Sequence, residues 1–155
     1  MKIHLKIFIS IVLILFTTNQ IIAQDVTEAH KDSLEIVVKK YYDLNLKTFQ
    51  ANSTIKDIDR IFEIFTDKFT YIHPKYGGIY TREDLYNGYV RNQKNGAYNG
   101  EITGIKIQNK IIGLNVVVVE RIYIIKKGEE IEEEESQVTL FEFEKGKISR
   151  IFEYW

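Results

Sequence analysis

The sequence has no cysteine, one proline (Pro74) and one tryptophan (Trp155). Without cysteine there is no disulfide scaffold, no thiolate nucleophile and no Cys-based zinc site. A single proline leaves no proline-rich linker, and no internal repeat stands in for one. Phosphate-binding glycine loops, nucleophile elbows, zinc signatures and dinucleotide fingerprints are also missing. No cofactor and no metal is therefore expected. Basic clusters are lacking too, so neither nucleic acid nor an anionic membrane is an expected partner.

What is present is a composition that can bury a core: 45% hydrophobic residues and 28% charged ones over 155 residues, the size of one domain. The first stretch has its own logic. Lys2 and Lys6 precede a run from Ile7 to Phe16 that is apolar except for Ser10, followed by polar Thr17 to Gln20 and then Ile21-Ile22-Ala23-Gln24. That is the layout of a secretory signal, and the run is about half the roughly 20 residues a membrane span needs. Residues 1–24 are read as a signal peptide and 25–155 as the mature domain, exported to the periplasm or secreted, with no membrane attachment after cleavage. Cleavage would remove Lys2 and Lys6 and no acid, taking the net charge from −1 to −3.

Along the mature chain, Leu34, Val38, Tyr41 and Leu44 recur at helical spacing and predict a helix over about 27–49. Thr54 to Asp57 reads as a cap, and Ile58, Ile61, Phe62 and Phe65 as the apolar face of a second, short helix. Asp67 to His73 alternates as a strand, which Pro74 ends before a flexible Gly77-Gly78 turn. Thr81 to Asp84 caps a third helix, which stops at Asn95-Gly96. Strands are then expected at 102–107, 114–126, 131–143 and 148–155, joined as hairpins into an antiparallel sheet.

This order resembles the NTF2-like (SnoaL-like) superfamily. The likeness is carried by Ile61 to Tyr71, joining the second helix to the first strand; by His73-Pro74 through Tyr80 to Leu85, a Gly-containing loop and capped helix; and by Gly146 to Trp155, the closing hairpin and strand. It implies an α+β cone, with three N-terminal helices on a strongly curved antiparallel sheet and a pocket at the open end. The superfamily holds isomerases, dehydratases, polyketide cyclases and epoxide hydrolases beside non-catalytic binding and dimerising modules, so the fold alone leaves activity open.

The candidate site residues come from the strand faces. His73 shares a face with Phe69 and Tyr71 and is the candidate acid or base near neutral pH. Glu153, set among aromatics, is its candidate catalytic partner. Tyr71, Tyr80 and Tyr89 combine an apolar body with a hydroxyl and suit ligand orientation. Arg121 is a candidate clamp for a carboxylate or a partner for Glu153, and Trp155 closes the core or covers the pocket mouth. The acidic run at Glu129–Glu135 lacks the Asp, Asn and Gly spacing of a calcium loop and reads as a solvated hairpin.

The reading is an exported domain with a pocket for a small, partly apolar molecule, serving ligand binding or dimerisation. The alternative is a cofactor-independent enzyme moving protons between His73 and Glu153, as in isomerisation, dehydration or hydrolysis. A homodimer is expected through the outer sheet face at Ile122 and Ile124.

Overall fold

A computed structural model describes residues 27–155; the expected signal peptide lies outside them. Helix α1 spans Glu28–Thr48 and buries Leu34, Val38, Tyr41, Tyr42, Asn45 and Thr48 along one stripe. Its start is capped by Thr27, whose hydroxyl accepts from the His30 amide at 3.2 Å. Helix α2, Ile55–Glu63, buries Ile58, Ile61 and Phe62. The Asp57 carboxylate reaches back to the Thr54 N–H at 2.9 Å and also meets Lys47 of α1 at 2.9 Å, so one side chain caps α2 and ties it to its neighbour. The Lys47 ammonium and the Thr54 contacts, outweighing the cost of burial, hold that carboxyl down to about 2. Helix α3, Arg82–Lys94, opens on a capping box in which Thr81 and Asp84 bond reciprocally.

The strands are β1 (Phe65–His73), β2 (Gly78–Thr81), β3 (Ile102–Ile112), β4 (Val116–Lys127), β5 (Glu130–Glu133), β6 (Gln137–Glu144) and β7 (Lys147–Tyr154). They form one curved, unclosed sheet in the order β2-β1-β7-β6-β4-β3, with β5 paired to β4. The pairings interrupted by register shifts are β1–β7, β3–β4 and β6–β7. Such bulges sharpen local twist and bend a sheet around its core.

Several expectations change. Phe65 begins β1 instead of ending α2, because its side chain packs inward on the sheet, stacked on Phe69 at 3.9 Å. Residues 78–81 form a strand and not merely a turn: a 3-10 turn at Pro74–Tyr76, closed by Gly77 at φ +83°, folds β2 back onto β1. The sheet is not wholly antiparallel, since β1 lies parallel to β7. The 131–143 stretch is two strands, broken at Glu134–Ser136. Ile122, expected on an exposed outer face, is only 6% exposed. The break crosses beside it, with the Glu134 N–H donating to the Tyr123 carbonyl.

The apolar faces of α1 and α2 join inward residues of the sheet, among them Phe65, Phe69, Val117, Val119, Phe141, Ile148 and Ile151, in one core, with α3 packed against it. No described helix is long and apolar enough to cross a membrane.

Candidate functional site

Strand alternation turns every second side chain of β1, β4 and β7 to the helix side. At one end of that face the inward residues are Tyr71, Arg121, Tyr123 and Glu153, followed by Trp155. Together with Tyr41 and Asn45 of α1, Tyr89 of α3 and Tyr98 they line a cavity of about 330 Å³. That is near the lower end of the roughly 300–1,000 Å³ typical of small-molecule pockets.

Arg121 and Glu153 are its charged pair. Both are buried, at 2% and 3% exposure. Arg121 donates through Nη1 to Gln137 Oε1 at 2.6 Å and places its guanidinium 4.2 Å from the Tyr123 ring centre. Its Nη2 stands 3.6 Å from Glu153 Oε2, beyond hydrogen-bond reach. Burial opposes its charge, but Tyr123 and Glu153 outweigh that and raise its pKa. Glu153 Oε2 accepts from Thr139 at 2.7 Å and from the Trp155 indole N–H at 2.9 Å. These contacts all fall on one oxygen, which leaves Oε1 without a hydrogen-bond partner among the described residues. The cavity thus presents a half-engaged cation and a half-engaged carboxylate.

The tyrosines frame this pair. Tyr89 donates to Asn45 Oδ1 at 2.6 Å, and Asn45 is fixed in turn by donating to the Tyr41 carbonyl at 2.8 Å. Burial pushes the phenols of Tyr71 and Tyr89 well above their ordinary range, and those of Tyr98 and Tyr123 to about 12. All four stay protonated at neutral pH and serve as hydrogen-bond donors.

Of the residues singled out in the sequence, Tyr71, Tyr89, Arg121, Glu153 and Trp155 converge on the cavity. His73 and Tyr80 are not among its lining residues. The Tyr80 hydroxyl donates to the Tyr76 carbonyl at 2.9 Å instead. His73 is 1% exposed, between the rings of Tyr76 at 4.3 Å and Trp155 at 4.5 Å. Neither of its ring nitrogens has a hydrogen-bond partner among the described residues. Burial lowers its pKa, outweighing the raising effect of Glu153, and Lys75 adds a smaller lowering effect. Sequence reasoning missed Tyr41, Asn45, Tyr98 and Tyr123. Three of them carried a signal: Tyr41 and Asn45 are four apart on the buried stripe of α1, and Tyr123 is two from Arg121 on the same strand face. Among the described residues no group of three His, Cys, Asp or Glu side chains could hold a metal ion.

No protein-family model matches the sequence, and no curated protein matches it. Solved structures do match. An NTF-2 like protein of unknown function from Burkholderia xenovorans is 17% identical with a TM-score of 0.54, over 79% of this chain and 82% of that one. A putative ketosteroid isomerase from Kribbella flavida is 14% identical with a TM-score of 0.56, over 81% and 78%. An LEH-like epoxide hydrolase of M. tuberculosis is 17% identical with a TM-score of 0.57, over 80% and 83%. At such identities the likeness speaks for architecture and not for activity. Three helices laid on one curved, unclosed sheet, matched by these structures over about four fifths of the chain, give this protein the NTF2-like fold.

Proposed function

We propose that the protein is an exported binding module whose cavity takes up a small, partly apolar molecule. The observation that carries this is the cavity itself: a chamber of about 330 Å³ ringed by five tyrosines, with Arg121 Nη2 and Glu153 Oε1 both short of partners. A buried polar group left unpaired costs about 1–3 kcal/mol, and Arg121 Nε is one such group among the described residues. A ligand with an oxygen acceptor for Arg121 and a donor for Glu153 recovers that energy, while its apolar part lies against the tyrosine rings. Because the two charges balance, a neutral ligand fits better than an anion, which Glu153 would repel. Mass spectrometry of the mature chain, purified without denaturant from its host, tests this. The reading expects a bound small molecule that is lost when Gly88, which lines the cavity, is replaced by Leu. Ligand-free protein, or an adduct indifferent to Gly88→Leu, counts against it.

The enzymatic alternative rests on Glu153. Its Oε1 is free to take a proton, and its Oε2 is held by Thr139 and Trp155. His73 is not among the residues lining the cavity and reaches it only through neighbours such as Tyr71 and Trp155.

Association through the outer face of the sheet fits the same module. Register lines up Ile79, Ile72, Phe152, Leu140, Val118 and Ile111 as one apolar row across β2, β1, β7, β6, β4 and β3. Ile79 and Ile111 are 71% and 72% exposed. A second copy of the chain would cover this row by symmetry, making a homodimer centred there and not on Ile122.

A further inference from the structure

Trp155 borders two spaces. On one side it lines the cavity; on the other it lines a surface cleft with Lys75, Glu134, Glu135, Ser136, Gln137 and Tyr154. It lies just past the last ladder pair of β7, Tyr154 with Val138, so side-chain contacts hold it in place. The indole N–H donates to Glu153, the ring lies at a steep angle to those of His73 at 4.5 Å and Tyr76 at 6.1 Å, and Lys75 Nζ sits 5.5 Å from the ring centre. We propose that Trp155 is a door between the outer cleft and the cavity, and that the neutral ring of His73 is its latch. The inference rests on the cavity being the ligand site, and makes one wall of that site respond to pH.

The latch follows from what His73 lacks. A 1% exposed imidazole with no partner on either nitrogen is comfortable only when uncharged. The groups around it come from three elements. Tyr71 is on its own strand β1, Lys75 and Tyr76 are on the 3-10 turn, and Glu153 and Trp155 are at the end of β7. Beyond the indole, Glu134 and Glu135 border the cleft. Once His73 takes a proton, Lys75 repels it and Glu153 is the carboxylate whose charge draws it. Glu153 is also the acceptor that holds the indole. The imidazolium therefore draws on the carboxylate that also holds Trp155. Its buried N–H groups also draw in water past Tyr76, which is 61% exposed. Both effects release the indole, so acid opens the door.

Trp155 is the single tryptophan of the chain, so intrinsic fluorescence reads the door directly. The full mature chain is titrated from about pH 8 to about pH 4.5, the window in which histidine ionises. Emission maximum and acrylamide quenching are followed together with the ring resonances of His73 by NMR. The expected result is a red shift and about a twofold rise in quenching, with a midpoint below 6.5 that coincides with the His73 titration. In His73→Phe, which keeps an apolar ring, the transition disappears. Unchanged fluorescence in the wild type, a fluorescence midpoint apart from that of His73, or the same transition in His73→Phe overturns the proposal. If His73→Phe does not fold, agreement or disagreement of the two wild-type midpoints decides. The fluorescence needs no ligand, so a door that moves in a protein whose cavity proves empty separates failure of the binding reading from failure of this one.

Discussion

The two ends of the sheet's inner face are built from the same strands with opposite chemistry. At one end β1 supplies Phe65 and Phe69, β4 Val117 and Val119, β6 Phe141 and Phe143, and β7 Ile148 and Ile151, all buried. Two to four residues further along, the same strands supply Tyr71, Arg121, Thr139 and Glu153. Helix α1 makes the same change, from Leu34 and Val38 to Tyr41 and Asn45. The first end is close-packed and stabilises the domain through area removed from water. The second gives up that packing for a chamber whose polar groups are only partly satisfied. One scaffold thus separates the residues that hold the fold from those that could meet a ligand.

Substitutions break this comparison most sharply at the apolar end. Phe141→Ala, at a site with no exposure, is expected to cost about 3–5 kcal/mol in urea unfolding, because the site cannot collapse around the void. At the other end Arg121→Met is expected to cost a similar roughly 3–5 kcal/mol, for a different reason: it strands the Glu153 charge in the interior. The double variant Arg121→Met with Glu153→Met should recover most of that loss, whereas no second apolar truncation rescues Phe141→Ala. A double variant no more stable than the single one would show that Arg121 acts through packing instead of charge.

Tyr89→Phe is a smaller test. It removes the hydrogen bond to Asn45 and is expected to cost about 1 kcal/mol in unfolding. On the outer face, Phe152→Glu is expected to convert a dimer to a monomer in light scattering. A wild-type protein that is already monomeric at micromolar concentration would remove that proposal.

Acid should distinguish two regions as well. His73 has a lowered pKa in the folded chain, so its contribution to stability is complete above about 6.5 and is lost as pH falls through the lower folded value. Asp57 also titrates lower when folded, so its contribution is complete above 3.8 and is lost only as pH falls toward about 2. Melting temperature against pH should therefore show a first decline, absent in His73→Phe, well before the one absent in Asp57→Asn.

Much of this architecture is legible in the residue order. The stripe of α1 and the alternation of β4 each follow from side-chain period alone, as does the burial of Arg121 once Val117 and Val119 are taken to face inward. The hidden parts depend on contacts distant in sequence. The parallel pairing of β1 with β7 brings Tyr71 beside Ile151, a relation no local pattern states. His73 shares a face with Tyr71, yet the turn at Pro74–Tyr76 folds Tyr76 over it and Trp155 closes the other side. Period gives the face of a residue, not what covers that face. Tyr80 looked like a pocket residue for the same reason, until β2 turned its hydroxyl to Tyr76.

The most direct measurement of the central claim is aromatic 1H–13C NMR of the mature chain, titrated with a set of small neutral carbonyl and hydroxyl compounds. The account predicts that binders shift the rings of Tyr71, Tyr89, Tyr98 and Tyr123 together, and that Arg121→Met abolishes those shifts while the spectrum remains that of a folded protein. Shifts confined to Tyr154 at the outer cleft, or tyrosine rings indifferent to every compound, would contradict it.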